Sequence, residues 1–234
     1  RTRNEDAFLI DIRHGLFVVA DGLGGHPGGD VAAQAVIQYL PRLLRRRLKS
    51  GQVATSIAIK NALLDLNAAV RLSGQRNPEL RGIGSTAACL MITDKNATIA
   101  HMGDSRIYHF RDGELSCLTQ DHSVTAMLLR GGEISVSSVA RHPARGQLTR
   151  YIGMEQEINP DVLSVRVKQG DRFLLCTDGL WNVLSSKRMT KLLSVGASSE
   201  AICWVLIEAA KAARSQDNIT CVVVEIKNIV TAKK

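Results

Sequence analysis

Short apolar runs that lead into an aspartate beside a glycine constrain this chain more than any other feature. The pattern occurs before Asp21-Gly22 (residues 16–20), before Asp178-Gly179 (residues 173–177) and, as Gly103-Asp104, after residues 97–102. Short apolar runs bounded by turn residues predict β-strands. Each predicted strand therefore delivers a carboxylate to a loop at the edge of a sheet.

An Asp-Gly dipeptide after a strand has a simpler explanation, the two-residue turn of a β-hairpin. Asp112-Gly113 fits that explanation, because it separates residues 107–110 from residues 115–118, two plausible antiparallel partners. Asp21-Gly22 and Asp178-Gly179 fit it poorly, because a glycine-rich loop follows the first and a helix-like segment follows the second. We therefore expect these two aspartates to serve a chemical purpose.

Six acids lie at predicted strand ends, close to Gly, Asn or Ser. They are Glu5, Asp6, Asp21, Asp104, Asp178 and Asp217. If those strand ends meet at one rim, the carboxylates must share a cation or repel one another. Ligation by oxygen alone suits hard divalent ions such as Mg²⁺ or Mn²⁺ and does not suit zinc. The pattern predicts a metal centre, and the alternative is a set of unrelated exposed turn acids.

Helical patterns alternate with the predicted strands. Residues 31–50 are amphipathic, with Asp30 placed to cap the helix and Pro41 placed to kink or split it. Strands outnumber helices and come in hairpin-like pairs, which favours an α+β layered fold over a doubly wound parallel sheet. Residues 123–149 combine short helical pieces with Gly-Gly and are expected to form a mobile flap. We expect one catalytic domain over residues 1–234, with this flap as its subdomain.

The composition is that of an ordinary globular protein, with 45% hydrophobic residues and a net charge of +8 over 234 residues. The basic run at residues 42–49 has leucines at helical spacing and predicts a solvated helix face. Aromatic residues make up only 4%, too few for typical single-strand nucleic-acid binding.

No run approaches the ~18 apolar residues that cross a bilayer. We expect a cytoplasmic monomer without nucleic-acid or membrane partners.

Several other kinds of site are excluded by spacing. Residues 82–87 match G-x-G-x-x-A, but no strand precedes them and a strand is predicted after them, unlike a dinucleotide site. No cysteine has an arginine six positions later, and no C-x-x-C pair or G-x-S-x-G motif occurs. The chain therefore lacks the patterns of a cysteine or serine nucleophile. Catalysis by a water molecule that a metal ion activates is the mechanism that remains.

Eight short motifs occur in an order that spans nearly the whole chain. They are residues 1–6 (RTRNED), 20–26 (ADGLGGH), 84–87 (GSTA), 103–106 (GDSR), 118–123 (LTQDHS), 148–150 (LTR), 176–180 (CTDGL) and 217–220 (DNIT). The set resembles the metal-dependent serine/threonine protein phosphatases, the type 2C or PPM family, in their bacterial single-domain form. This resemblance implies a four-layer αββα sandwich, in which two antiparallel β-sheets are flanked by helices and a helical flap is inserted.

The resemblance also implies a set of metal ligands. Asp21 would bridge two Mn²⁺ or Mg²⁺ ions. Asp178 and Asp217 would bind one of these ions, and Glu5 and the Gly22 carbonyl would bind the other. A weaker third ion would be held by Asp104 with help from Asp178.

Two further residues take catalytic roles by the same resemblance, beside Asp21. Arg1 would bind the substrate phosphate, since its planar guanidinium can contact two phosphate oxygens. His26 would be the general acid that protonates the departing serine or threonine oxygen. A hydroxide bridging the two ions would attack phosphorus in line, without a phosphoenzyme.

The function implied is hydrolysis of phosphoserine and phosphothreonine in proteins, opposing a bacterial eukaryotic-like Ser/Thr kinase. The partners implied are that kinase and its phosphorylated substrates. A catalytically silent phosphoprotein-binding module on the same scaffold is the alternative. The flap carries four basic residues or histidines, Arg130, Arg141, His142 and Arg145, against one acid, Glu133, so we expect it to favour acidic phosphopeptides.

Overall fold

A computed structural model describes residues 3–23, 28–49 and 53–228 of the chain. These residues form seven α-helices and nine β-strands. The strands are β1 (Asp6–Asp11), β2 (Leu16–Asp21), β3 (Ala87–Thr93), β4 (Asn96–Met102), β5 (Arg106–Arg111), β6 (Glu114–Cys117), β7 (Asp161–Arg166), β8 (Arg172–Cys176) and β9 (Cys221–Glu225). The helices are α1 (Gly29–Leu48), α2 (Thr55–Arg76), α3 (Val124–Arg130), α4 (Val136–Val139), α5 (Asp178–Trp181), α6 (Ser186–Leu193) and α7 (Ser199–Ala212).

The strands form two antiparallel sheets, which confirms the predicted α+β class and the pair of sheets that the family resemblance implies. The first sheet has five strands in the order β1-β2-β3-β4-β7, and the second has four in the order β6-β5-β8-β9. Every strand pairing is antiparallel. Among the described residues no backbone ladder connects the two sheets, so contacts that involve side chains hold them together.

The continuous apolar run of β2 places buried side chains on both faces of its sheet. Leu16, Val18 and Ala20 belong to a cluster shared with α1 and α2. Phe17 and Val19, which point the other way, belong to a cluster shared with strands of the second sheet. Side chains alternate between the faces of a strand, so six consecutive buried residues must serve two cores. Full burial of each large aliphatic side chain contributes about 1.5–3 kcal/mol.

A third hydrophobic cluster lies on the other face of the second sheet. Leu174 and Cys176 of β8 pack there with Leu192 of α6 and with Ile202 and Leu206 of α7. These helices are amphipathic, and their apolar stripes meet the face of β8 that is turned away from the first sheet. Each sheet therefore has a hydrophobic cluster on both of its faces.

Helix α1 differs from its predicted form in two ways. Its N-cap is Gly28, with φ 82°, and Asp30 lies in the first turn instead of capping the helix. The helix is also not split at Pro41, which is buried inside it. A proline within a helix costs about 3 kcal/mol. Burial of neighbours such as Leu40 and Leu44, at about 1.5–3 kcal/mol each, offsets that cost.

The predicted hairpin is present, and short helices occupy the segment that we expect to form the flap. Asp112 and Gly113, with φ of 52° and 83°, join β5 to β6, as the hairpin explanation requires. The flap lies between β6 and β7 and contains α3 and α4. Its two ends are joined by an isolated bridge between Ser123 and Leu148. Within the described ranges, no helix has the length and apolar character needed to cross a membrane.

Candidate metal centre

The acids of the first sheet meet at one end of β1 and β2. Asp6, the first residue of β1, pairs in register with Asp21, the last residue of β2. One step further, the Gly22 N–H donates to the Glu5 carbonyl over 3.1 Å. A side chain at Gly22 would place its Cβ 2.2 Å from the Gly29 carbonyl oxygen, so only glycine fits this close approach.

The second sheet brings Asp178 and Asp217 together in the same manner. Asp178 begins α5 directly after β8, and Asp217 lies in the loop that leads into β9, the neighbour of β8. A Cβ on Gly179 would lie 1.9 Å from the Asn218 carbonyl oxygen. The two acidic segments are therefore in direct backbone contact, and this contact depends on the missing side chain of Gly179.

Hydrogen bonds join the two sheets at this end. The Thr177 hydroxyl donates to Asp6 Oδ2 over 2.9 Å, and it accepts from the Thr220 N–H over 3.1 Å. The Glu5 N–H donates to Asn218 Oδ1 over 3.1 Å. Residues at the ends of four strands from two sheets thus converge on one place, as the acid pattern predicts.

Asp104 approaches from β4 and is held through its backbone. Its carbonyl accepts a 2.9 Å hydrogen bond from Trp181 Nε1 in α5. The guanidinium of Arg106 lies 3.5 Å from the centre of the Trp181 ring and forms two bonds to Asp121, of 2.8 and 2.7 Å. Desolvation, reinforced by the charge of Asp178, raises the pKa of Asp104 to about 7. Asp104 therefore belongs to the same electrostatic cluster.

Asp21 lies at the centre of this cluster. Burial raises its pKa well above the ordinary aspartate range, and the charges of Asp6, Asp178, Asp104 and Asp217 raise it further. Burial likewise raises the pKa of Asp6. Carboxylates crowded in this way are stable as anions only when cations neutralise them.

The donor set fits hard divalent ions. Asp6 Oδ1 is buried and has no hydrogen-bond partner among the described residues, so a cation or its water could satisfy it. No three acids of the centre bring oxygen atoms within 4.8 Å of one another in the part of the chain that the structure describes. The donors are carboxylate oxygens, the ligand type that Mg²⁺ and Mn²⁺ prefer.

A separate trio, His101, His122 and Asp161, does bring three possible ligand atoms within 4.8 Å. Its atoms are already hydrogen-bonded. The Gly103 N–H donates to His122 Nδ1 over 3.2 Å, so the proton of the neutral ring lies on Nε2, 3.1 Å from Asp161 Oδ2. His101 Nε2 donates to the Gln120 carbonyl over 2.9 Å. An ion here would displace these bonds, and we assign the trio to holding the base of the flap.

The predicted site residues fall into two groups. The structure brings together Glu5, Asp21, Gly22, Asp104, Asp178 and Asp217 at the ends of the sheets. Arg1 and His26 lie outside the described residues. Sequence reasoning placed none of Thr86, Thr177 and Trp181 at the site and interpreted Trp181 as a packing residue, although the Thr-Asp-Gly and Gly-Ser-Thr-Ala motifs contain the two threonines.

Comparison with known proteins gives a consistent result. The Protein phosphatase 2C family matches residues 1–217. The serine/threonine phosphatase stp of Listeria monocytogenes is 32% identical over 231 residues, which cover 96% of this chain and 91% of the relative.

Solved structures agree with the sequence comparison. The crystal structure of the Mycobacterium tuberculosis serine/threonine phosphatase PstP/Ppp has a TM-score of 0.86 at 31% identity, covering 97% of this chain and 94% of that one. The catalytic domain of PstP in complex with 2 manganese ions has a TM-score of 0.83 at 29% identity, with coverage of 97% and 94%. The chain belongs to the protein phosphatase 2C family and is a metal-dependent serine/threonine protein phosphatase of the bacterial type.

Proposed function

We propose that the chain removes phosphate from phosphoserine and phosphothreonine in proteins and opposes a bacterial eukaryotic-like Ser/Thr kinase. The observation that carries this proposal is the burial of Asp21 among carboxylates from both sheets. Its phosphoprotein substrates are inferred from the names of the relatives, which are serine/threonine phosphatases, and the opposing kinase is inferred from the family resemblance.

Two ions and a weaker third would be held by the acids of the centre. Asp21 would be shared between the first two, with Asp178 and Asp217 on one side and Glu5 and the Gly22 carbonyl on the other. Asp104, with Asp178, would hold the third. Divalent cations supply Lewis acidity, which activates water and neutralises the charge of the phosphoryl group. The assignment is supported by the meeting of these residues at one end of the two sheets.

Side chains of the protein would bind the substrate phosphate, donate the proton to the leaving group and orient water. Arg1 would bind the oxygens of the substrate phosphate and hold it in line for attack. His26 would donate a proton to the serine or threonine oxygen as the bond to phosphorus breaks, because an alkoxide is a poor leaving group. Asp6, hydrogen-bonded to Thr177, would orient water at the rim of the centre.

We extend the proposal to the domain that carries the site and to its cellular compartment. We infer one catalytic domain over residues 1–234, built as a four-layer αββα sandwich with the flap at residues 123–149 as its insertion. Three hydrophobic clusters support this order of layers. The cysteines are free thiols, which fits a reducing compartment, the cytoplasm.

Phosphate release from a phosphothreonine peptide tests the proposal. We expect release in Mn²⁺, loss of release in excess chelator, and recovery when Mn²⁺ is restored. The Asp178→Asn protein should release less than a tenth of the wild-type phosphate under the same conditions. A protein that binds the phosphopeptide in Mn²⁺ without releasing phosphate would instead be the silent binding module.

A further inference from the structure

A large cavity opens beside the metal centre, between the flap and the ends of the sheets. It has a volume of about 840 Å³. Asp104, Asp178 and Asp217 line it on one side, and residues of α3 and of the loop after α4 line it on the other. A phosphorylated side chain bound at the acids would therefore leave its flanking residues in contact with the flap.

Three exposed arginines line this cavity, two from the flap and one from the segment that carries Asp217. Arg130 at the end of α3, Arg145 after α4 and Arg214 in the segment before β9 all line it and are exposed. A fourth arginine, Arg106, also lines the cavity, but its charge is neutralised by the two-bond contact with Asp121. The flap's acid, Glu133, is not among the lining residues.

The charges of the three exposed arginines are available to a ligand. Arg130 donates only a 3.4 Å bond to the Asp121 carbonyl, and Arg145 donates a 3.2 Å bond to the Ala140 carbonyl. Within the described ranges, none of Arg130, Arg145 and Arg214 forms an ion pair with a carboxylate. Backbone carbonyls leave the positive charge uncompensated, so the cavity wall attracts anions.

We propose that this arginine wall, formed by Arg130, Arg145 and Arg214, selects phosphoproteins that carry acidic or additional phosphorylated residues beside the phosphoserine or phosphothreonine. The proposal rests on the proposed function and names its substrate class. The wall acts on the flanking residues and not on the reacting phosphate. It should therefore lower KM for acidic substrates and leave kcat nearly unchanged.

Two matched phosphothreonine peptides test the wall, one with glutamates on both sides of the phosphothreonine and one with glutamines. We expect wild type in Mn²⁺ to prefer the glutamate peptide about tenfold in kcat/KM, since each exposed ion pair contributes a factor of roughly two to five. The preference should lie in KM and should shrink in high salt, because salt screens exposed charges.

The Arg130→Gln/Arg145→Gln/Arg214→Gln protein should treat both peptides alike, and the corresponding lysine variant should keep the preference. Arg141→Gln is the matched control, because Arg141 is an exposed arginine of the same flap that does not line the cavity. Hydrolysis of a small aryl phosphate, which has no flanking residues, should be the same in all of these proteins.

A readout without turnover completes the test. A fluorescent, phosphate-free glutamate peptide should bind wild type and Arg141→Gln, measured by anisotropy in Mn²⁺, and should bind the triple glutamine variant several-fold more weakly. Equal turnover of the two phosphopeptides by wild type, or a preference that survives in the triple glutamine variant, would overturn the proposal. Absence of hydrolysis of both the aryl phosphate and the glutamine peptide would instead overturn the proposed function.

Discussion

Asp21 illustrates how a single residue can be held in an electrostatically unfavourable place. Its N–H donates to the Thr86 hydroxyl over 2.9 Å, and its carbonyl accepts from the Thr86 N–H over 2.8 Å and from the Ser85 hydroxyl over 3.0 Å. The backbone is thus fixed by its neighbours while the carboxylate faces other carboxylates. The repulsion persists because the backbone bonds of β2 do not allow the side chain to move away.

Replacing Asp21 with asparagine should separate stability from activity. In chelator, Asp21→Asn should unfold at a higher temperature than wild type, because it removes a buried charge repelled by its neighbours; each kcal/mol gained corresponds to about 2–4 °C. The increase in unfolding temperature on adding Mn²⁺ should be lost, and kcat should fall below a tenth of wild type. Asp112→Asn, at the hairpin turn, should behave as wild type. An Asp21→Asn protein that is less stable in chelator and still stabilised by Mn²⁺ would contradict this account.

His122 is the second residue whose environment decides its chemistry. It is buried, stacks on His101 with ring centroids 4.4 Å apart, and accepts a bond from the Gly103 N–H, next to Asp104. Desolvation, together with the charge of His101, lowers the pKa of His122 to about 4. The neutral ring is therefore the form that holds Gly103 in place.

This shift predicts how stability depends on pH. An unfolded histidine has a pKa of about 6.5. Between pH 6.5 and 4 the unfolded chain therefore binds more protons at His122 than the folded chain, and the free energy of unfolding falls as pH falls through this window. The contribution of His122 should reach about 1.4 kcal/mol per pH unit.

Denaturant unfolding in chelator at several pH values between 7 and 5 measures this slope. The raised pKa values of the metal-centre aspartates act in the opposite sense, and equally in both proteins, so the difference between the two slopes isolates His122. His122→Asn should gain stability relative to wild type as pH falls. His142→Asn, which alters a flap histidine outside this network, should keep the wild-type slope. Equal slopes in wild type and His122→Asn would count against the argument.

At the scale of elements, the metal centre depends on two loops that touch at a glycine. The turn that begins α5 carries Asp178, and the segment before β9 carries Asp217. Gly179 lies between them, and the Ser215 hydroxyl donates to the Gly179 carbonyl over 2.8 Å. The loops are close because no side chain separates them.

Gly179→Ala should therefore damage the centre without changing any proposed ligand. The new Cβ, 1.9 Å from the Asn218 carbonyl oxygen, must push the two loops apart. We expect kcat/KM to fall on the order of 100-fold, the cost of a displacement near 1 Å at a reacting site, together with weaker Mn²⁺ binding by calorimetry. Gly196→Ala, whose Cβ would meet no atom within 4 Å, is the control and should be neutral. Wild-type turnover by Gly179→Ala would show that the loops tolerate separation.

For the whole molecule, the strand ends and their acids could be predicted from sequence because they depend on local patterns. Short apolar runs that end in Asp-Gly predict both the strand and the residue that follows it. The hairpin at Asp112 follows from the same patterns, whereas the arrangement in two antiparallel sheets was implied by the family resemblance. The family resemblance added which acids share an ion, a question that spacing leaves open.

Long-range contacts could not be predicted in this way. Trp181 and Asp104 are separated by 77 positions, and a tryptophan in a short helix has many possible partners. The placement of Arg214 on the same cavity as Arg130 likewise depends on how the flap folds over the sheets. Pro41 does not split α1, one of the two outcomes expected of it, because local propensity takes no account of the core that α1 buries.

Crystals grown in Mn²⁺ and measured at the manganese absorption edge test the central claim most directly. The account predicts anomalous peaks between Asp21, Asp178 and Asp217 and between Asp21 and Glu5, with a weaker peak at Asp104. Peaks at His101, His122 and Asp161 with none at Asp21 would contradict it.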